Sequence, residues 1–170
     1  MSLIKYRKLT LEDYDAYFEI REKALDQFPE AFLSTNEEEV KSRKVRYAEV
    51  INHKFNFIMG AFENNILVAM LGFIKEERIK TPHKGFIWGM FVESKKQNIG
   101  IGKNLFDLAV KKAFLIKGLT QINLTVAATN KKAKSLYEKS GFEVYGLEKN
   151  ALLIDGVFSD HFLMVKFKDN

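Results

Sequence analysis

The sequence contains no cysteine among its 170 residues. This absence excludes disulfide bonds, thiolate metal sites and cysteine nucleophiles, and it fits a reducing cytosol. The three histidines, His53, His83 and His161, show no spacing typical of a metal site. No apolar run is long enough to span a bilayer, and the start, Met1–Lys5, does not resemble a signal peptide. We therefore expect a cytoplasmic protein without a metal or a membrane partner.

The composition is that of an ordinary globular protein, with 46% hydrophobic and 29% charged residues. The length predicts a single domain over residues 1–170 with a sizeable core. Fifteen phenylalanines indicate an aromatic interior or an apolar cleft. The net charge of +5 is compatible with a polyanionic ligand, such as a nucleotide cofactor or nucleic acid, and equally with a solvated lysine-rich surface.

The first third of the chain predicts one strand and two helices. Alternation from Leu3 to Arg7 indicates a short strand, and Thr10 then resembles a helix N-cap. The first helix should end at Phe28-Pro29. Overlapping capping boxes between Ser34 and Glu39 predict a second helix that continues to about Asn52.

The remainder predicts six strands and two helices. We expect strands at Phe55–Phe62, Ile66–Ile74, Phe86–Val92, Ile122–Ala127, Phe142–Ile154 and Phe158–Phe167, and helices at Gly102–Lys117 and Asn130–Ser140. Asp155-Gly156 is a strong hairpin signal between the last two strands. This order predicts an α/β fold with a mixed, mostly antiparallel sheet flanked by helices.

A glycine turn, Gln97–Lys103, links the strand ending at Val92 to the next helix. Gly100 and Gly102 carry no β-carbon, so the backbone can approach a phosphate and direct its N–H groups toward it. The positive end of the helix dipole adds attraction for an anion. Taken alone, the two glycines are also explained by a simple tight turn.

Two blocks of the sequence together resemble the GNAT superfamily of N-acetyltransferases. Residues 97–102, QNIGIG, fit the family's pyrophosphate loop, Gln/Arg-x-x-Gly-x-Gly/Ala. Asn130, Tyr137 and Gly141-Phe142 match a second block, in which an Asn opens a short helix that carries a Tyr. The resemblance extends from about Phe55 to the end. It implies acetyl-CoA as co-substrate and direct transfer to a primary amine, since an acetyl-cysteine intermediate is impossible here.

The resemblance also implies roles for particular residues. Tyr137 would act as the general acid near the coenzyme A sulfur, although its spacing alone also fits a packing residue. Asn130 would bind the cofactor or simply cap its helix. Gly89 inside a strand indicates a bulge or close approach. The implied cofactor-binding residues are Met90, Phe91, Val92, Gln97, Asn98, Ile99, Gly100, Ile101, Gly102, Lys103, Asn130 and Tyr137.

The acceptor and the general base stay open at this stage. Glu93 and Glu37–Glu39 are candidate bases, but each is also explained as a solvated or capping carboxylate. Phe28, Phe32 and Tyr47 hint at a partly apolar acceptor pocket. The acceptor could be a protein N-terminus, a lysine, a polyamine, an amino acid or an aminoglycoside, bound by a monomer or homodimer. A non-catalytic acyl-CoA sensor and a basic nucleic-acid-binding module are the alternatives.

Overall fold

The computed structural model describes residues 3–169. Met1 and Ser2, which begin the N-terminal stretch discussed above, and Asn170 lie outside the described residues. The strands are β1 Ile4–Lys8, β2 Phe57–Glu63, β3 Ile66–Lys75, β4 Lys84–Val92, β5 Gln121–Ala127, β6 Glu143–Ile154 and β7 Val157–Phe167. The α-helices are α1 Tyr14–Gln27, α2 Asn36–Val40, α3 Arg43–Asn52, α4 Ile101–Phe114 and α5 Lys131–Lys139.

The seven strands form one mixed sheet in the order β1-β2-β3-β4-β5-β7-β6. Every neighbouring pair is antiparallel except β4 and β5, which are parallel. The crossover through α4 joins these two strands, because parallel neighbours need a long connection. The predicted mixed, mostly antiparallel sheet flanked by helices is therefore confirmed.

Each face of the sheet is covered by different helices. One core cluster joins the sheet to α4 and α5, and its largest fully buried side chains include Phe73, Phe106 and Phe142. The second cluster joins the opposite face to α1 and α3 through Tyr17, Ile20 and other apolar side chains. Strand alternation places successive side chains of the central strands in opposite clusters.

The central strand β4 is irregular on both of its edges. Towards β3, Met70 pairs with Phe91 and Gly72 with Trp88, so a single residue of β3 faces Gly89 and its successor. Gly89 has a φ of 65°, which confirms the predicted irregularity. Towards β5, pairing is limited to the stretch from Lys84 to Phe86. Beyond this point the two parallel strands separate, and the sheet opens.

Two predicted helix boundaries are wrong. The second predicted helix is two helices, α2 and α3, separated at Lys41-Ser42. Glu39 and Arg43 lie on either side of this break, and both are buried. The sequence pattern predicts charged residues to be exposed, so it gave no sign of their burial. Helix α4 ends at Phe114, about one turn earlier than predicted.

Candidate active site

A cavity of about 390 Å³ occupies the gap where β4 and β5 separate. Its wall includes β4 residues from both core clusters. Met90 and Val92 belong to the α4–α5 side, and Trp88 and Phe91 to the α1 side. The cavity therefore passes through the sheet, and its two ends have different walls. One end lies against the glycine turn, and the other, here called the aromatic end, is lined by Phe28, Phe32, Trp88 and Phe91.

The glycine turn presents free backbone N–H groups to the cavity. Gly100 adopts the left-handed conformation, with φ 87° and ψ −7°, and directly precedes α4. Within the described residues, no backbone N–H from Asn98 to Lys103 donates to a protein acceptor, whereas that of Asn104 reaches the carbonyl of Gly100 at 3.0 Å. Free amides at a helix N-terminus form an anion-binding site.

Not every predicted residue of the turn contributes a side chain to this wall. Asn98, Gly100, Gly102 and Lys103 line the cavity. The side chain of Ile99 is 65% exposed, and that of Ile101 is 2% exposed and packs into the core. Neither isoleucine is therefore part of the cavity wall.

Gln97 connects the turn to the elements on both sides. Its Nε2 donates to the carbonyl of Val92 at 3.1 Å, and its Oε1 accepts from Lys132 Nζ at 2.9 Å. A β-carbon on Gly102 would lie 3.2 Å from side-chain atoms of both Met90 and Val92. The turn is thus held against the end of β4, and glycine permits this close approach.

Tyr137 of α5 lines the cavity. Its side chain is 9% exposed, and its ring lies 4.8 Å from that of Phe106. Burial raises the pKa of Tyr137 to about 12. The hydroxyl donates to the sulfur of Met90 at 3.7 Å, which is a weak acceptor. The phenol is therefore neutral at physiological pH and keeps most of its donor capacity.

Asn130 precedes α5 and also lines the cavity. Its Oδ1 accepts from the backbone N–H of Ala133 at 3.0 Å, as an N-cap does. The predicted capping role is confirmed, and Asn130 keeps its amide nitrogen for a second partner.

The predicted carboxylates do not line the cavity. Glu93 is paired with Lys23 at 2.7 Å, and Glu38 caps α2 by accepting from the backbone N–H of Thr35. Glu39 is buried and accepts two hydrogen bonds from Arg21, which corrects its interpretation as a solvated or capping residue. Among the residues that line the cavity, none is Asp, Glu or His.

No group of three or more His, Asp or Glu side chains within residues 3–169 could hold a metal ion. No helix in the same range is both long and apolar enough to cross a membrane.

Comparison with known proteins identifies this architecture. The profile of the Acetyltransferase (GNAT) family matches residues 17–142. The chain belongs to the GNAT acetyltransferase family. As a GNAT acetyltransferase it depends on acetyl-CoA, and the family assignment agrees with the resemblance inferred from the glycine turn and the Asn130–Phe142 block. No curated protein sequence matches the chain.

Solved structures share the fold of this GNAT acetyltransferase over nearly its whole length. A GNAT-family acetyltransferase from Streptococcus pneumoniae superposes with a TM-score of 0.83 at 21% identity, covering 98% of this chain and 100% of that one. The ribosomal-protein-S5-alanine acetyltransferase from Vibrio fischeri gives 0.83 at 19% identity, with 100% and 98% coverage. The protein yncA from Salmonella typhimurium, solved with its cofactor acetyl-CoA, gives 0.83 at 16%, with 98% and 94% coverage.

Several site residues of the GNAT acetyltransferase escaped the sequence analysis. Lys132 lines the cavity beside the glycine turn, and the only local signal for it is its place in the first turn after the Asn130 cap. Trp88 lies within the strand predicted at Phe86–Val92, but no role in a site was expected of it. Tyr47 is buried between α1 and α3, where its hydroxyl donates to the carbonyl of Thr10, and it does not line the cavity.

Proposed function

We propose that this GNAT acetyltransferase transfers the acetyl group of acetyl-CoA directly to a primary amine within a ternary complex. One observation carries the proposal: the cavity between β4 and β5 connects the free amides of the glycine turn to the aromatic end on the opposite face of the sheet. A donor held at one end and an acceptor at the other would meet beside Tyr137. The cavity, whose wall includes Met90 and Tyr137, has room for the reacting groups.

The donor would be held mainly by backbone groups. The six amides from Asn98 to Lys103 would bind the pyrophosphate, and Lys103 and Lys132 would offset its charge. The backbone N–H of Glu93 donates to Val68 of β3 at 2.9 Å. Successive N–H groups of a strand point to opposite sides, so the Phe91 N–H faces β3 and the Val92 N–H faces the gap. The Val92 N–H would therefore be free to bind the thioester carbonyl or the pantetheine arm.

The transfer then needs one donor for the carbonyl oxygen and one for the leaving sulfur. The amine nitrogen attacks the thioester carbon, a bond forms between them, and negative charge develops on the oxygen beside the Val92 N–H. As the C–S bond breaks, the departing thiolate takes the proton of the Tyr137 hydroxyl. The proton released by the new amide nitrogen restores the phenol.

No carboxylate in the cavity wall is placed to deprotonate the acceptor ammonium. We therefore propose that the amine enters neutral or loses its proton to water. The value of kcat/KM should then rise with pH as the acceptor ammonium loses its proton, and the midpoint of this rise should follow the pKa of the acceptor used rather than that of a fixed group on the enzyme.

A direct test measures acetyl-CoA binding by thermal shift and coenzyme A release with a thiol reagent across a panel of primary amines. Binding should raise the melting temperature by mass action, and at least one amine should accelerate thiol release. Stabilisation without amine-dependent release would favour an acyl-CoA sensor. Competition by DNA or RNA would favour a nucleic-acid-binding module, and either result would refute the proposal.

A further inference from the structure

A buried arginine lies behind the aromatic end of the cavity. Arg21 of α1 is 5% exposed. Its Nε and Nη2 donate to the two carboxylate oxygens of Glu39 at 3.1 and 2.6 Å. Its Nη1 is fully buried and has no hydrogen-bond partner. Burying a hydrogen-bond donor without a partner costs folding free energy, so the unpaired nitrogen needs an explanation.

The unpaired nitrogen faces the cavity wall. A β-carbon on Gly89 would lie 3.2 Å from Nη1, and the guanidinium carbon lies 4.7 Å from the ring centre of Phe32 and 5.7 Å from that of Trp88. All three of these residues line the cavity. Only one layer of residues therefore separates the positive charge from the space at the aromatic end.

The ion pair is oriented with its positive side toward the cavity. Glu39 binds the opposite edge of the guanidinium and is itself shared with Arg43, whose Nε lies 3.7 Å from it. Burial acts to raise the pKa of Glu39, but hydrogen bonds from Arg21 and Ser34 outweigh it and lower the pKa. Glu39 therefore stays ionised and holds the Arg21 guanidinium in place. Its negative charge lies on the side of the guanidinium that faces away from the cavity.

No acidic group in the wall compensates this charge. The charged residues that line the cavity are Lys103 and Lys132, both cationic and both beside the glycine turn. Glu93 is engaged by Lys23. His161 uses Nε2 to donate to the carbonyl of Glu30 at 3.1 Å. The aromatic end is thus apolar at its surface and positive behind it.

We propose that the acceptor is a small amine with an aromatic or branched apolar body and a carboxylate or similar anionic group, and that Arg21 determines this preference. The proposal rests on the proposed acetyl transfer and names the class of its acceptor. The rings accommodate the apolar body, and the field of Arg21 favours the anion. The same field disfavours polyamines, aminoglycosides and lysine-rich peptides, because their additional positive charges find no acidic partner in the wall.

The test compares two products that differ in one charge. With the protein saturated by coenzyme A, N-acetyl-L-phenylalanine and N-acetyl-L-phenylalaninamide are titrated by calorimetry, so that ionisation of a free amine does not contribute. We expect the carboxylate to bind about two- to sevenfold more tightly, because the positive end of the ion pair at roughly 6 Å outweighs its negative end at roughly 10 Å when the effective dielectric constant is about 20–40. Equal binding, tighter binding of the amide, or no saturable binding of either compound would overturn the proposal.

A double variant, Arg21→Gln with Glu39→Gln, replaces the ion pair by a neutral hydrogen-bonded pair, and Arg43 keeps Glu22, whose Oε1 lies 3.6 Å from its Nη1, as its carboxylate partner. Its ratio of the two affinities should fall to about one, while coenzyme A binding stays unchanged. A retained preference in a folded double variant would refute the role of Arg21. If the variant does not fold, the wild-type comparison decides. Loss of acetyl-CoA binding or of thiol release in the wild type would count instead against the proposed transfer.

Discussion

Replacing Gly100 by aspartate tests the glycine turn as a pyrophosphate site, and asparagine at the same position is the matched control. Gly100 has a φ of 87°, and a β-carbon built on it meets no protein atom within 4 Å. Asp and Asn have nearly the same size, and both tolerate the left-handed conformation better than most residues. The two variants therefore share the backbone cost and differ in a single charge.

The magnitude follows from the charge and the open space. A carboxylate about 6 Å from phosphate charges, at an effective dielectric constant of about 20–80, is repelled by about 1–3 kcal/mol. This repulsion corresponds to acetyl-CoA binding about 5- to 150-fold more weakly to Gly100→Asp than to Gly100→Asn. Calorimetric titration measures both dissociation constants. The ratio should shrink in about 1 M salt, where the Debye length falls to about 3 Å.

A truncated donor makes the result specific to the phosphates. S-acetylpantetheine carries the thioester but no pyrophosphate, so the two variants should use it with equal kcat/KM. The assignment of the turn is refuted by equal acetyl-CoA affinity in both variants. It is also refuted by a difference that persists with the truncated donor, since the charge would then act on something other than the pyrophosphate.

Three further substitutions, one of them with a matched control, test the chemistry and the stability of the fold. Tyr137→Phe should lower kcat by about 100-fold with the dissociation constant of acetyl-CoA nearly unchanged, and unaltered turnover would remove Tyr137 from the reaction. Gly89→Ala should destabilise the fold by about 1–2 kcal/mol, a fall of about 2–8 °C in Tm. Gly118→Ala is the control, because Gly118 has a φ of 83° and no atom lies within 4 Å of the new β-carbon. Its Tm should fall less than that of Gly89→Ala, since the β-carbon at Gly89 would lie 3.2 Å from a buried guanidinium nitrogen. Hydrogen bonds from Arg7 outweigh burial and lower the pKa of Asp13, so Asp13→Asn should lower Tm at neutral pH by about 2–4 °C. Because the lowered pKa stabilises the fold above the unfolded-state value of about 4, this difference should vanish as the pH falls through the folded-state pKa; a constant difference would contradict the reasoning.

Features encoded by local conformation were predictable from the sequence. Gly100 and Gly141 adopt positive φ where the pattern placed a turn and a helix end, and Asn130 caps its helix. Asp155-Gly156 forms the hairpin turn, with both φ angles positive. These conformations depend on a few adjacent residues, and glycine, asparagine and aspartate are the residues that tolerate them.

Features produced by distant contacts were not predictable in the same way. Glu39 and Arg43 are charged, so hydrophobic periodicity assigns them to the surface. Both are buried, because Glu39 pairs with Arg21 and Arg43 lies 3.6 Å from Glu22, two residues of α1. Tyr47 has the pattern of a pocket residue but packs between helices. Lys132 reaches the glycine turn only because α5 lies beside it in the folded chain. In each case the partner is far away in the sequence.

The two ends of the cavity come only partly from separate stretches of the chain, because Trp88 and Phe91 of β4 also line the aromatic end. Phe28 and Phe32 lie in the first 32 residues, whereas the turn and its partners lie between Gln97 and Tyr137. Under the proposed function, substitutions at Phe28 and Phe32 would alter which molecule is acetylated while coenzyme A binding stays unchanged. Acceptor specificity could then change through a few substitutions in the first 32 residues, without changes in the residues that bind acetyl-CoA.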